Sequence, residues 1–460
     1  MASATRDLTT GRPLKLILSF MVPIFLGMLF QQFYNVIDTI VVGKFLGVQA
    51  LAGVGSTGSL NFLVLGLCNG ICSGFAIPVA QKFGQRDMEG LKKFIGNMIW
   101  LTVVLSLSIC LVTTMLCRQF LEWMGNPDDT IGYAYNYIFV IFLAIPVTML
   151  YNLCAGILRS LGNSRTPLYF LVFSSVLNIL LDLFCILVLH MGVRGAGIAT
   201  FISQLISGLL CLRYMKRHYS ILHLQKHHLR LEKYYVSTLL SMGLPMGLQY
   251  SITAIGSILL QTSVNSLGAV SMAAMTAGQK VSVFASTPFD AIGSCAAIFA
   301  GQNLGAGKPE RVHEGVKAAG CLGILYSIAA VIVLYFFADD LTVLFLDSTD
   351  PLAKPQVLPL AQQFLRTSSL FYIPLLYVNL LRFTIQGLGF SQLAVVAGIF
   401  EMVARAVVAI CLVPLWGFTA VCFANAAAWI LADVFLLPAY YTCLRKRGFR
   451  PRVQKQSAVV

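Results

Sequence analysis

Charge is what this chain has least of. Of its 460 residues only 11% are charged, with 18 Asp or Glu against 32 Lys or Arg. A soluble domain carries about 25% charged residues, and a chain that is 58% hydrophobic cannot cover a water-facing surface with polar groups. The shortage excludes a soluble enzyme, a nucleic-acid-binding domain and a disordered scaffold. Catalytic signatures are missing as well: there is no H-E-x-x-H, no P-loop and no G-x-S-x-G. The run Gly53-Val54-Gly55-Ser56-Thr57-Gly58 fits G-x-G-x-x-G, but no strand precedes it and it opens an apolar span, so no dinucleotide site is expected. The twelve cysteines, Cys68, Cys72, Cys110, Cys185, Cys211 and Cys411 among them, lie scattered in apolar runs without metal-ligand spacing or a disulfide framework, and are expected to pack. No cleavage site follows the first apolar run, so a removable signal peptide is not expected. No cofactor and no enzymatic activity are expected.

What the chain has is long apolar runs. A bilayer core of ~30 Å needs about 20 apolar residues as helix, and runs of that length fall near 16–42, 52–80, 94–116, 131–156, 167–190 and 195–215. Six more follow near 236–262, 269–300, 314–338, 357–386, 391–414 and 417–443. Turn and charge signals separate them, such as Gly84-Gln85-Arg86-Asp87, Gly125-Asn126-Pro127-Asp128, Gly162-Asn163-Ser164-Arg165 and Gly305-Ala306-Gly307-Lys308-Pro309. Lysines and arginines set the orientation. Arg6, Arg12 and Lys15, then Lys82 to Lys93, Arg159 and Arg165, Arg213 to Lys233, Lys308 to Lys317 and Arg445 to Lys455 all fall on the side of the amino terminus. Lys44, Arg118, Arg194, Lys354 and Arg366 fall opposite. Both termini are therefore expected in the cytoplasm, with the chain in the cell membrane.

The same phrases occur twice. "FLGVQALAGVG" within 23–55 answers "SLGAVSMAAMTA" within 245–277, residues 80–90 answer 301–311, and "ILRSLGNS" at 157–164 answers "TIQGLGFS" at 384–391. Six crossings return a chain to its starting side, so the halves insert in parallel and relate by an axis along the membrane normal. The expected fold is an all-α polytopic membrane protein of twelve transmembrane helices in two six-helix repeats. Residues 1–217 form an N-lobe, 218–234 a basic linker, 235–444 a C-lobe and 445–460 a basic tail. Gly70-x-x-x-Gly74 and Gly243-x-x-x-Gly247 read as close-approach helix faces. A duplicated bundle with a cleft suits a carrier that alternates access.

An ionised side chain at mid-bilayer costs about 2.5–3.5 kcal/mol or more, so the exceptions point to function. In the second half they are Lys280, Asp290, Arg382, Glu401, Arg405 and Asp433. Glu401 and Arg405 stand i,i+4 and read first as a structural pair; the group also supplies candidate substrate contacts. The first-half set is sharper. Ser175, Asn178 and Asp182 share one face of the fifth span. Asp38, Asp182 and Thr200 all fall about 9–12 Å inside the outer boundary by helical rise. A shared cavity explains three spans with polar groups at one depth; a hydrogen-bond cluster that ties the helices together is the plainer reading. Two carboxylates in one dry cavity repel and can share a proton, or the oxygens of Asp38, Asn178, Asp182 and Thr200 can hold Na⁺.

"VVGKFLGVQALAGVG" (41–55), "VLNILLDLFCI" (176–186) and "GQNLGAGKPERV" (301–312), in a 6+6 layout, resemble the multidrug and toxic compound extrusion (MATE) transporters over nearly the whole chain. The resemblance implies two lobes around a central cleft and export of organic cations in exchange for H⁺ or Na⁺. The bilayer is the expected surroundings, no nucleic-acid partner is expected, and a monomer is the expected unit. It implies a coupling-cation site in the N-lobe at Asp38, Asn178, Asp182 and Thr200, with Asn152 as a further member and Pro23 as a helix hinge. No acid lies between Glu232 and Asp290 or between Asp350 and Glu401, which argues against a C-lobe Na⁺ site. The alternative is a lipid-linked saccharide flippase, whose cleft would need several arginines and lysines for phosphate. A membrane enzyme or receptor would need a catalytic constellation or a large soluble domain, and neither is present.

Overall fold

A computed structural model describes residues 6–125, 128–345 and 353–449. Ten helices are long and apolar enough to span a bilayer, and two further spans are bent helix pairs, making twelve. In the first half they are α1 (Pro13–Leu46), α2 (Gln49–Gln85), α3 (Met88–Met115), α4 (Thr130–Leu143 with Ile145–Ser160), α5 (Arg165–Val188) and α6 (Val193–His218). In the second half they are α7 (Lys233–Asn265), α8 (Ala269–Gly305), α9 (Pro309–Val343), α10 (Pro355–Ser369 with Tyr372–Gly387), α11 (Ser391–Trp416) and α12 (Phe418–Lys446). Each sequence-derived span falls on one of these. The tail's Arg450, Arg452 and Lys455, and the turn residues Asn126 and Pro127, lie outside the described residues.

The bends in α4 (47°) and α10 (53°) were not expected from apolarity. Pro146 and Pro374 stand just past the two breaks. A proline ring removes one helical hydrogen bond and crowds the preceding turn. Both halves therefore bend at equivalent places. They also share π-helical segments at the ends of α5 and α11, Phe184–Val188 and Val408–Leu412. A positive-φ glycine follows each, Gly192 at 60° and Gly417 at 55°.

The packing repeats under the same duplication. α1 lies on α8 as α7 lies on α2, and α1 on α5 as α7 on α11. Likewise α2–α4, α4–α6 and α5–α6 answer α8–α10, α10–α12 and α11–α12. α1 and α7 each serve both lobes. Leu16, Ile17, Phe20 and Ile24 of α1 enter the C-lobe core while Val41 and Val42 enter the N-lobe core. In α7, Leu239 joins the N-lobe core and Leu260 and Val264 the C-lobe core.

The lobes meet tightly at the end bearing the linker, the end expected from the basic residues to be the inner one. The two G-x-x-x-G faces cross here: a Cβ on Gly70 would stand 2.6 Å from Gly247 Cα, and one on Gly74 2.6 Å from Gly243 Cα. Only glycine permits that approach between α2 and α7. At the inner tips, a Cβ on Gly84 would run into the Gln302 carbonyl, and one on Gly305 into the Gln81 carbonyl. The same glutamines form a crossed latch. Gln81 donates from Nε2 to Gly387 O of α10 (3.0 Å), and Gln302 from Nε2 to Ser160 O of α4 (2.8 Å). These are the duplicated phrases, 80–90 with 301–311 and 157–164 with 384–391, meeting in space. Residues 6–11 lie across the seam, with Arg6 N bonded to Leu161 O and Leu8 N to Gln302 Oε1 (3.0 Å).

The linker is strapped to α3. Trp100 Nε1 donates to Leu229 O, Lys93 pairs with Glu232 at 3.1 Å, and Glu89 receives His227 and His228. Glu89, His227 and His228 bring three metal-ligating atoms within 4.8 Å. However, the Gln225 N–H points at His228 Nδ1 (2.9 Å), which places the neutral ring's proton on Nε2, facing Glu89 Oε2. That nitrogen then has no lone pair for a metal, and the trio reads as a pin between linker and lobe.

Candidate functional site

The N-lobe site is assembled by α1, α4, α5 and α6. Asp38 (7% exposed), Asn178 (2%) and Asp182 (0%) are buried, and Asp182 stands one residue before Leu183, after which α5 turns π-helical. The Asn178 amide, turned so that each group meets a partner, donates to Asp182 Oδ2 (3.0 Å) and accepts from Thr200 N (3.1 Å) and Thr200 Oγ1 (3.2 Å). Thr200 Oγ1 also lies 3.2 Å from the Tyr34 hydroxyl of α1. Asp38 Oδ2 accepts from the Tyr137 hydroxyl of α4 at a long 3.5 Å. The two aspartates lie within electrostatic range of each other. One oxygen of each, Asp38 Oδ1 and Asp182 Oδ1, has no hydrogen-bond partner. Among the described residues no lysine, arginine or histidine forms an ion pair with either.

Thus four sequence-derived residues come together, and two that sequence reasoning missed join them, Tyr34 and Tyr137. Asn152 is bonded elsewhere: its Nδ2 donates to Asn69 Oδ1 of α2 at 2.6 Å. Pro23 lies buried within α1, which continues unbroken through it. By position it denies the Ser19 carbonyl its helical donor. Ser175 only bonds back to its own helix, at Leu171 O.

The C-lobe polar group is built differently. Arg382 of α10 contacts Glu401 of α11, whose other oxygen takes Arg405 Nη2 at 3.3 Å. Arg405 Nε reaches Asn425 Oδ1 of α12 at 3.2 Å. The i,i+4 pair read from sequence is therefore one side of an Arg–Glu–Arg triad, with both arginines 5% exposed and Glu401 3%. Asp433, Asp290 and Tyr250 lie within electrostatic range of Arg382. Lys280 stands apart, exposed, 5.9 Å over the Phe345 ring.

The MatE family model matches residues 23–184 and 245–411. The probable multidrug resistance protein YoeA of Bacillus subtilis is 29% identical over 342 residues, 72% of this chain and 73% of its own. An FAD transporter of Shewanella oneidensis is 22% identical over 341 residues, 73% of this chain and 75% of its own. A solved structure described as the outward-facing conformation of a multidrug resistance MATE family transporter of the MOP superfamily superposes with a TM-score of 0.90. It is 21% identical, covers 98% of this chain and 99% of its own, and so shares the fold.

Proposed function

Because the chain belongs to the MatE family of membrane transporters, we propose that it exports organic cations or toxic metabolites in exchange for H⁺ or Na⁺ through an alternating-access cleft. The observation that carries this reading is the pair of buried carboxylates, Asp38 and Asp182, each with an orphan oxygen and neither with a cationic partner. Buried charge of one sign without compensation is costly, so the pair takes up a proton or small cation wherever it is reached by water. The cation is cargo, held between the aspartates and steadied by Asn178 and Thr200. Tyr34 and Tyr137 supply hydroxyls that can turn as the charge changes. Na⁺ favours oxygen ligands of this kind, and a proton suits two like charges in one cavity. Moved down its gradient, either ion supplies about 2.3 kcal/mol per charge per 100 mV.

The inner seal gives the other half of the cycle. Inward opening has to part the Gln81 and Gln302 latches and the glycine crossings, while α1 and α7, each shared between cores, carry motion from one lobe to the other. Pro23 gives α1 a flex point close to that seam. The reading also includes the basic faces turned to the cytoplasm, residues 1–217 and 235–444 as the two lobes, 218–234 as linker, 445–460 as tail, the cell membrane as site and one chain as the working unit. A saccharide-lipid flippase finds little support, since Arg382 and Arg405 are already held by Glu401.

Dye counterflow in proteoliposomes, with pH and sodium gradients imposed independently, tests the reading. Asp38→Asn and Asp182→Asn each abolish gradient-driven ethidium export with normal membrane insertion. Normal export by both variants removes the site assignment.

A further inference from the structure

The end of α6 that leads into the linker ends an apolar stripe in three cations. Arg213, Lys216 and Arg217 are exposed and lie one turn apart. With Leu209 and Leu212 they line a groove of ≈ 390 Å³. Positions 209, 212, 213, 216 and 217 share one helical face, apolar first and cationic towards the end. Among the described residues none of the three cations forms an ion pair. The acids of the linker and of the α2–α3 connection are already engaged: Asp87 by Lys82, Glu232 by Lys93, and Glu89 by His227 and His228. The groove is not part of the cleft. α6 packs against α1, α4, α5 and the first turn of the linker, all outside the second lobe, and the lobes are sealed at this end. Leu209, which is exposed, therefore faces acyl chains, and the cations stand where headgroups begin.

Two ordinary roles leave the cluster unexplained. Cations in a last helical turn offset the helix dipole, which accounts for Lys216 and Arg217 but not for Arg213, a turn further in. A basic bias on one side sets orientation, but it does not require a stripe, and the duplication shows as much. Counted from Val193 and Phe418, the positions of α12 that answer Leu209 and Leu212 are Val434 and Leu437, both apolar and exposed. Those that answer Arg213, Lys216 and Arg217 are Pro438, Tyr441 and Thr442. Both lobes turn an apolar stripe to lipid, and only the first ends it in cations. The basic residues of α12 come later, at Arg445 to Arg447, and there Arg447 is committed, its Nε donating to Leu388 O at 3.0 Å.

We propose that this groove holds one anionic phospholipid of the inner leaflet, with its phosphate on Arg213, Lys216 and Arg217 and an acyl chain along Leu209 and Leu212. An arginine fork meets phosphate oxygens with two parallel hydrogen bonds, and a lysine adds a point charge. A free phosphate gains nothing from the leucines. A zwitterionic lipid brings its own cation to a site that already has three. The inference needs only that the chain spans a bilayer with this end at a leaflet that contains anionic lipid, so it stands apart from the exporter reading. A lipid held here fastens the N-lobe to its leaflet, a hold that α12 does not give the C-lobe.

Native mass spectrometry of the purified full-length protein in detergent, titrated with dioleoylphosphatidylglycerol, dioleoylphosphatidylcholine or inorganic phosphate, tests the proposal. The wild type retains phosphatidylglycerol in preference to phosphatidylcholine. A basic residue beside an anionic headgroup contributes about fivefold in binding. Arg213→Gln, Lys216→Gln and Arg217→Gln together therefore raise the half-saturating concentration of phosphatidylglycerol by about a hundredfold. A control triple, Lys226→Gln, Arg445→Gln and Lys446→Gln, removes as many exposed cations from the same end and leaves the binding unchanged. Arg213→Gln alone weakens it about fivefold and Arg213→Lys restores it, so the answer does not depend on how well the triple variant folds. No loss in Arg213→Gln, or equal loss in the two triples, overturns the inference. Phosphatidylcholine bound equally well would reduce the groove to an apolar face and overturn it too. Inorganic phosphate that displaces the lipid at matching concentration would make it a site for free anions, with the same result.

Discussion

In the N-lobe, α5 and α6 are joined by Asn178 and Thr200; in the C-lobe, α11 and α12 are joined by Arg405 and Asn425. Thr200 and Asn425 sit at the same distance from the starts of their helices, Val193 and Phe418. The duplicated skeleton thus places a polar bridge at the same point in both halves, and the charges around it have diverged. The N-lobe bridge faces two aspartates with orphan oxygens, while the C-lobe bridge belongs to a triad in which Glu401 joins two arginines. One lobe keeps an unbalanced charge, which an ion from solution can balance. In the other, both oxygens of Glu401 are taken by arginines, so the triad offers a small cation no free carboxylate. On the proposed reading, packing repeats in both halves while coupling follows the lobe whose carboxylates lack a cationic partner.

The largest effects expected test that division directly. Asp182→Asn removes one of two repelling charges, so the folded protein keeps its thermal stability or gains some while gradient-driven export disappears. Glu401→Gln does the opposite kind of damage. It leaves Arg382 and Arg405 facing each other in a buried site without their ion-pair partner, a loss of about 3–5 kcal/mol. That variant is expected to melt well below the wild type in detergent and to reach the membrane in reduced amount. A stable Glu401→Gln protein that has lost only its ion dependence would place coupling in the C-lobe and reverse the comparison.

Much of the frame was legible before any coordinates. Twelve apolar runs of spanning length require twelve helices, and the lysine and arginine positions mark their shared ends. Helical rise alone put Asp38, Asp182 and Thr200 at one depth. Other features depend on neighbours that sequence spacing does not show. Arg382 meets Glu401 from a different helix, whereas Arg405 shares one with it, so only the second contact could be read. Tyr34 stands four residues before Asp38, on the same helical face, and that spacing was a usable signal; Tyr137 offered none. Arg159 stands in the last turn of the helix that ends at Ser160 and is half-buried, which a count of basic residues by side does not show. The bends escaped notice because Pro146 and Pro374 lie within runs that remain apolar throughout.

The inner latch sharpens the comparison from the opposite side, since here the lobes are alike. Gln81→Ala and Gln302→Ala each remove one neutral hydrogen bond between lobes, about 1 kcal/mol. Each is therefore expected to raise the inward-open population by about fivefold, and the two by equal amounts. Hydrogen–deuterium exchange at the inner ends of α2 and α8 reads this out as faster exchange in either variant, fastest in the double variant. Gln302 also receives Leu8 N, so a larger effect at Gln302 would assign the excess to the strap of residues 6–11. An effect at one glutamine alone would mean that the seam opens asymmetrically, despite its symmetric build.

The smallest effect belongs to Asn152. Its amide is committed to Asn69 at 2.6 Å, a bond between α2 and α4 that no aspartate shares. Asn152→Ala removes that neutral bond, worth about 1 kcal/mol, so the variant is expected to lose a little stability and to keep its dependence on pH or sodium. Asn69→Ala should give the same result, because the two side chains act as one contact. Dye counterflow across a series of imposed gradients separates the outcomes: a rate lowered in proportion at every gradient marks a packing contact. A flattened gradient dependence in Asn152→Ala alone would extend the ion site along α4 toward Asn69 of α2, and the N-lobe acids would then be one end of a longer path.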